Sequence, residues 1–479
     1  MELEKLKMKR TVFLILFIAA GFLNISAQAA KGPNIILVMA DDQGWGQMGY
    51  YNHPVLKTPN LDKMAENGIR FNRFYAGAPV CSPTRASVLT GRSNDRTGVY
   101  SHGYAMCKQE KTIAQALQKA GYKTAHFGKW HLNGLKGPGV PIFANDERNP
   151  GQFGFDEWLS VSNFFDIDPI MSHNGEFVEM KGESSEIIVS EALRFIEREK
   201  DNGKPLFVVI WYGSPHAPWR AYETDKKSFA GLGENAQNHY GELVKMDKSI
   251  GDLRNGLRSM KLEENTLVWF NSDNGGLPNF GPETVGGLRG YKGKIYEGGL
   301  RVPCIIEWPA EIKSRITDYP ASTMDIFPTI ADIAGLPGSD MVLPVDGASI
   351  KELFTTDLKS REKPIPFRYQ GNAAIVDNNY KLVSPDISKK EFELYDLETD
   401  PNETKNIIET EKEIANQMIE KFAKWNQSVE ESVAGKDYPE GLLEPNGKNV
   451  FWNSLPEYEP YFKQWKLRPE YKEALKDKK

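Results

Sequence analysis

The sequence predicts an α/β protein: a mostly parallel central sheet sandwiched by helices, followed by a smaller C-terminal α+β subdomain. Three observations predict it. From Asn34 onward, apolar β-rich runs alternate with helical stretches, as in strands joined by crossover helices. Several of those helical stretches end at a glycine, which can take the left-handed cap. Around Lys351 to Pro366 the chain turns charged and proline-punctuated, and short strands with one long helix follow.

The elements are placed in chain order. Thr11 to Leu23 is apolar, follows Lys5, Lys7, Lys9 and Arg10, and precedes the small residues Ser26 to Ala30. A basic start, an apolar middle too short to span a bilayer comfortably and an Ala-x-Ala site predict a secretory signal peptide over 1–29, cleaved after Ala29. No cysteine follows that site, so the protein is expected to be exported, periplasmic or extracellular, with neither lipid anchor nor membrane insertion. Strands are predicted at Asn34 to Met39, Tyr122 to Phe127, Leu206 to Tyr212, Thr266 to Asn271 and Val302 to Trp308. Between them come helices at Leu61 to Asn67 with Gly68, Ile113 to Ala120 with Gly121, Glu186 to Glu199, Tyr240 to Met260, and Met324 to Ala334 with Gly335. This catalytic unit is expected over 30–365. The remainder, 366–479, should hold strands near Ile375 to Val383 and Phe392 to Leu397, a helix from Glu409 to Ser428, and a surface-packed tail from Lys436.

Composition narrows the function. Of 479 residues 40% are apolar and 26% charged, the balance of an ordinary globular chain of two or three domains. A net charge of −6 argues against nucleic acid as a partner. Three cysteines, Cys81, Cys107 and Cys304, allow at most one internal disulfide, so in an oxidising compartment one thiol needs a reason to be there.

The first strand ends in Asp41-Asp42-Gln43-Gly44, and the strand at 266–271 leads into Asp273-Asn274-Gly275-Gly276. In a parallel α/β sheet the loops after the strands' carboxyl ends share one edge, so these acidic clusters can meet. Three carboxylates and an amide oxygen suit a hard divalent cation such as Ca²⁺ or Mg²⁺ better than zinc. A second constellation runs Pro79-Val80-Cys81-Ser82-Pro83-Thr84-Arg85. Ser82 reads as an N-cap, Pro83 fits the first turn and Gly91 ends the helix, so Cys81 is expected at a helix N-terminus. Free amides and Arg85 there favour an oxyanion, and a thiol so placed should have a lowered pKa. A thiolate phosphatase is excluded by spacing, because its arginine would stand six residues on, at Ser87.

Cys81-x-Pro83-x-Arg85 with Thr90-Gly91-Arg92 resembles the signature of the formylglycine-dependent sulfatases of the alkaline-phosphatase superfamily. Five further landmarks, in family order, strengthen the resemblance across Pro33 to about Asn406. They are Gly128-Lys129-Trp130-His131, Pro215-His216-x-Pro218, Ser272-Asp273-Asn274-Gly275, Lys292-Gly293-x-x-Tyr296-Glu297-Gly298-Gly299, and Glu393-Leu394-Tyr395-Asp396-Leu397. Asp41-Asp42-Gln43-Gly44-Trp45-Gly46 belongs to the same set.

The resemblance implies an alkaline-phosphatase-like fold and hydrolysis of sulfate esters. It implies that a maturing enzyme oxidises Cys81 to formylglycine, and that one Ca²⁺ is held by Asp41, Asp42, Asp273, Asn274 and the modified Cys81. Arg85, Lys129, His131, His216 and Lys292 would complete the catalytic set, Lys292 being preferred to Lys294 by its distance from Glu297. A hydrated aldehyde would attack sulfur, His216 would protonate the leaving oxygen and His131 would deprotonate the second hydroxyl. Exported relatives of this kind most often act on sulfated carbohydrate. Two alternatives remain: a phosphoester or phosphonate hydrolase on the same scaffold, and a catalytically dead glycan-binding relative.

Overall fold

The computed structural model describes residues 32–444 and 449–478. The signal peptide expected at 1–29 lies outside them.

Among the described residues the main sheet has eleven strands. They are β1 (Asn34–Ala40), β2 (Ile69–Tyr75), β3 (Lys123–Lys129), β4 (Glu157–Val161), β5 (Ile170–His173), β6 (Glu176–Glu179), β7 (Leu206–Trp211), β8 (Thr266–Ser272), β9 (Arg301–Glu307), β10 (Arg315–Thr317) and β11 (Ala321–Ser322). Their spatial order is β10-β2-β9-β8-β1-β7-β3-β4-β5-β6, with β11 also on β2. The centre, from β8 through β1, β7 and β3 to β4, is parallel. Its two innermost strands, β1 and β7, are apolar at nearly every position because both faces are covered. In β1, Ile35, Leu37 and Met39 enter one core while Ile36, Val38 and Ala40 enter the other.

The first core is closed by α2 (Cys81–Thr90), α3 (Ile113–Lys119) and α6 (Ile326–Ala334). The second is closed by α1 (Pro59–Asn67), α4 (Ser184–Glu199) and α5 (Glu234–Ser259), whose apolar stripes recur at helical spacing, as with Leu243, Met246, Ile250 and Leu253.

Several local expectations change. The strand at Arg301–Glu307 runs antiparallel to both β8 and β2. The strand β2 is not among the strands the sequence predicts: its Arg70, Asn72 and Arg73 break the apolar run, although five of its seven residues are buried. Gly68 stops α1 in an extended rather than left-handed conformation, φ −122°. Gly91 and Gly335 are left-handed caps, φ 70° and 65°.

The stretch near 375–383 is two strands. A four-stranded antiparallel sheet, β12 (Ile365–Tyr369), β13 (Asn372–Asp377), β14 (Tyr380–Asp386) and β15 (Glu391–Asp396), turns between β13 and β14 at Asn378, which takes a positive φ. One face of it packs under α7 (Lys412–Val433) through Ala415, Met418 and Phe422. The other meets Tyr75, Val80, Leu300 and Met324 of the main unit. The tail does not merely lie on the surface: Trp452, Tyr458, Trp465 and Tyr471 are buried with Leu135, Val140 and Ile170.

Candidate active site

β1 and β8 pair in register up to Ala40 opposite Ser272, so the next residues, Asp41 and Asp273, leave the sheet side by side. Asp273 N–H donates to Ala40 O, and Asp42 N–H donates to Asp273 Oδ1, each at 3.1 Å. Asp42 takes a positive φ, 72°, which turns its carboxylate back over the edge. Asn274 donates from Nδ2 to Asp42 Oδ1 at 2.8 Å, and its own Oδ1 is buried without a partner.

Helix α2 brings Cys81 to the same point: its Sγ lies 3.4 Å from Asp41 Oδ1. The helix starts two residues earlier than expected, at Cys81. Val80 is its N-cap, and Ser82 is not; Ser82 Oγ instead accepts from Gly103 N–H at 2.9 Å. Nor is the thiol acidified. Burial, reinforced by Asp273, pushes the Cys81 thiol up, because a thiolate here would be desolvated and face carboxylates.

The cations interlock with the acids. Arg85, fully buried, ion-pairs with Asp273 Oδ2 at 2.8 Å, donates to Lys129 O at 3.1 Å and lies 5.0 Å over the Trp211 ring. Lys129, at the end of β3, ion-pairs with Asp41 Oδ2, and Lys292 reaches Asp42 at 2.6 Å. Burial opposes ionisation of Asp41, yet Lys129, His216, Arg85 and Lys292 outweigh it and hold its carboxyl well below the usual range. Asp273 goes the other way, pushed up to about 7 by burial and the Asp41 charge.

His216 closes the side beyond β7. Its Nδ1 is hydrogen-bonded to Ala217 O, its Nε2 lies 3.8 Å from Asp42 Oδ2, and Phe164 stacks on its ring. Burial and Lys292 hold the imidazole down to about 4 against the pull of Asp42 and Asp41. His131 follows β3 with φ 56°, is buried, and has neither ring nitrogen hydrogen-bonded among the described residues.

All the site residues named from the sequence therefore converge on one edge, with Lys292 and not Lys294 on the carboxylates. The sequence reading missed Phe164, whose aromatic type gave no signal apart from its partner. Trp219 spends its indole N–H on Pro215 O at 2.9 Å and packs on Phe280. Cys81, Cys107 and Cys304 are all free.

The donor set fits a hard cation. One ligand atom from each of Asp41, Asp42, Cys81 and Asp273 lies within 4.8 Å of every other, and the unpartnered Asn274 Oδ1 adds a neutral oxygen.

Comparison with known proteins agrees on one family. The Sulfatase family model matches residues 33–336, and the model described as N-sulphoglucosamine sulphohydrolase, C-terminal, matches 290–428. N-acetylgalactosamine-6-sulfatase of Sus scrofa is 35% identical over 400 residues, covering 75% of this chain and 72% of that protein. Arylsulfatase A of Homo sapiens is 30% identical over 466 residues, covering 82% and 86%. The solved structure of Ps i-CgsB in complex with k-i-k-neocarrahexaose has the same fold, with TM-score 0.74, 23% identity and coverage of 93% of this chain and 100% of that one.

Proposed function

The chain belongs to the sulfatase family of sulfuric ester hydrolases, and from that premise we propose that it is an exported enzyme removing sulfate from a carbohydrate, using Cys81 converted to formylglycine and one Ca²⁺. The convergence of Cys81, Arg85, Lys129 and Lys292 with four oxygen-bearing side chains at one buried point carries this reading. In this reading residues 30–365 are the catalytic domain and 366–479 a C-terminal subdomain. Among the described residues no helix is long and apolar enough to cross a membrane.

Asp41, Asp42, Asp273, Asn274 and residue 81 would hold the cation. When bound, Ca²⁺ supplies positive charge for the ester oxygens, and the formylglycine hydrate supplies the second hydroxyl that a plain Ser or Cys lacks. The side chains do the rest. A sulfate ester repels nucleophiles with its own negative oxygens, so the buried Arg85 and Lys129, with the half-buried Lys292, neutralise that charge where water screens it little. A cation held by Asp41 and Asp42 would supply the positive charge that Lys129 and Lys292 give those carboxylates, leaving both lysines for the sulfate.

His216 stands on the leaving-group side. Its Nδ1 is committed to Ala217 O, so Nε2 carries the exchangeable proton. A bound anion beside His216 favours the imidazolium that burial alone disfavours, and Nε2 then protonates the leaving alkoxide. His131, with neither ring nitrogen hydrogen-bonded among the described residues, accepts the proton from residue 81 that releases sulfate.

The test is a desulfation screen over defined sulfated mono- and disaccharides, with the mass of the Cys81 peptide measured in the same preparation. Sulfate release by protein carrying the aldehyde is expected. Full activity of Cys81→Ser, or faster turnover of a phosphate ester than of the sulfate ester of the same leaving group, would overturn the proposal.

A further inference from the structure

The rim beside the site carries a cation, Lys136, and an imidazole, His102, that the hydrolysis does not use. Gly103 N–H is tied to Ser82 next to Cys81, Ala105 bridges Asn133 antiparallel, and Met106 N–H donates to Leu132 O at 3.0 Å. Segments 101–106 and 131–136 therefore run together along the mouth. The aliphatic stem of Lys136 lies over Gly103, where a Cβ would come within 2.8 Å of Lys136 Cγ. Its ammonium has no ion-pair or hydrogen-bond partner among the described residues. His102 next to it is exposed as a residue, and among the described residues its ring approaches one hydrogen-bonding group, Ser101 Oγ, 3.4 Å from Nδ1. His102 is held below its ordinary value by burial and by the charges of Lys292, Lys136 and Lys129, so this rim sits in a positive field.

The tail adds an apolar floor. Val450–Phe451 pairs in parallel with Leu135–Lys136, placing Phe451 opposite Lys136. Phe451 is 59% exposed, although the adjacent Trp452 is buried, and its ring edge flanks Gly137. An exposed aromatic held on a buried anchor beside an unpaired cation matches what an anionic sugar ring presents, an apolar face and a charged edge.

We propose that Lys136 and His102, with Phe451 as floor, form a second anion subsite that takes the carboxylate or sulfate of the sugar next to the one whose ester is cut. The inference rests on the sulfated-carbohydrate reading and specifies it: the substrate is a polyanionic saccharide of at least two units. Lys136 supplies the charge-assisted hydrogen bond, and His102 adds a donor.

Three disaccharides test it, identical in the sulfated unit and bearing a neutral, a carboxylated or a sulfated neighbour. The wild type should show KM lower by about tenfold for the charged neighbours than for the neutral one, the factor expected from one charge-assisted hydrogen bond. In Lys136→Ala that ratio should fall toward one, and in Lys136→Glu it should invert, with thermal midpoints confirming folded protein. The carboxylated and sulfated arms identify the anion. Equal KM values for all three sugars in the wild type, or a ratio untouched in both variants, would overturn the subsite alone. Failure of the wild type to desulfate any of them would overturn the substrate reading and the subsite with it.

Discussion

The ring of Phe164 lies parallel to that of His216, with centroids 4.7 Å apart and planes 10° from each other. Phe164 precedes Phe165, which is buried, so the stack is backed by the core rather than by a mobile loop. It fixes the plane of the imidazole while Ala217 O fixes its tautomer. Phe164→Ala should lower kcat on alkyl sulfates about 10-fold, part of what a positioned general acid contributes, and affect aryl sulfates with good leaving groups much less. Phe164→Tyr should restore most of the loss. An equal loss on both substrate types would argue against a positioning role.

Cation removal should be legible without any substrate. A cation bound only by the folded state, at about 100 times its dissociation constant, stabilises by about 3 kcal/mol. Chelation should therefore lower the thermal midpoint and Ca²⁺ restore it, and Asp42→Asn should shrink the difference. A midpoint indifferent to chelator, with metal loss verified, would exclude a bound cation.

A second buried charge cluster joins the two sheets. Lys381 on β14, fully buried, reaches Glu297 Oε1 and Glu403 Oε1 at 3.0 Å each, and Arg301 on β9 donates to Glu297 Oε2 at 2.7 Å. Removing one member leaves uncompensated charge in the interior. Lys381→Met should cost about 3 to 5 kcal/mol in chemical denaturation. A change under about 1 kcal/mol would mean that water or a rearranged partner takes up the charge.

The same cluster sets an acid limit. Burial opposes ionisation of Glu297, but Lys381 and then Arg301 hold its carboxyl down to about 2, below the unfolded value of about 4.5. A depressed carboxyl stabilises fully above the unfolded pKa and loses that stability as pH falls through the folded one. The stability gap between wild type and Glu297→Gln should therefore be widest above pH 5 and narrow between about pH 4.5 and 2. Denaturation curves at pH 6 and pH 3 giving the same gap would contradict it.

How far the site could be read in advance varies by residue. Asp41, Asp42, Asp273 and Asn274 were legible because they follow apolar strands, and such ends share an edge in any parallel sheet. Arg85 was legible by its place one turn after Cys81. The state of the Cys81 thiol was not, because capping and dipole favour a thiolate while complete burial against Asp273 opposes it more strongly. Ser82 misled for a related reason: its side chain finds Gly103, far enough along the chain that no local rule anticipates it.

By itself the sequence determined the periodicity of the elements, the two acidic strand ends and the chemistry available at residue 81, since backbone preference and apolar spacing are local properties. Only the tertiary structure decided that β9 runs antiparallel, that the tail buries Trp452, Tyr458, Phe462, Trp465 and Tyr471 and lends Phe451 to the mouth, and that Phe164 faces His216. Those outcomes depend on which surfaces meet after the chain closes loops of tens to hundreds of residues. The free energy of such meetings belongs to both partners jointly, so neither segment alone encodes it.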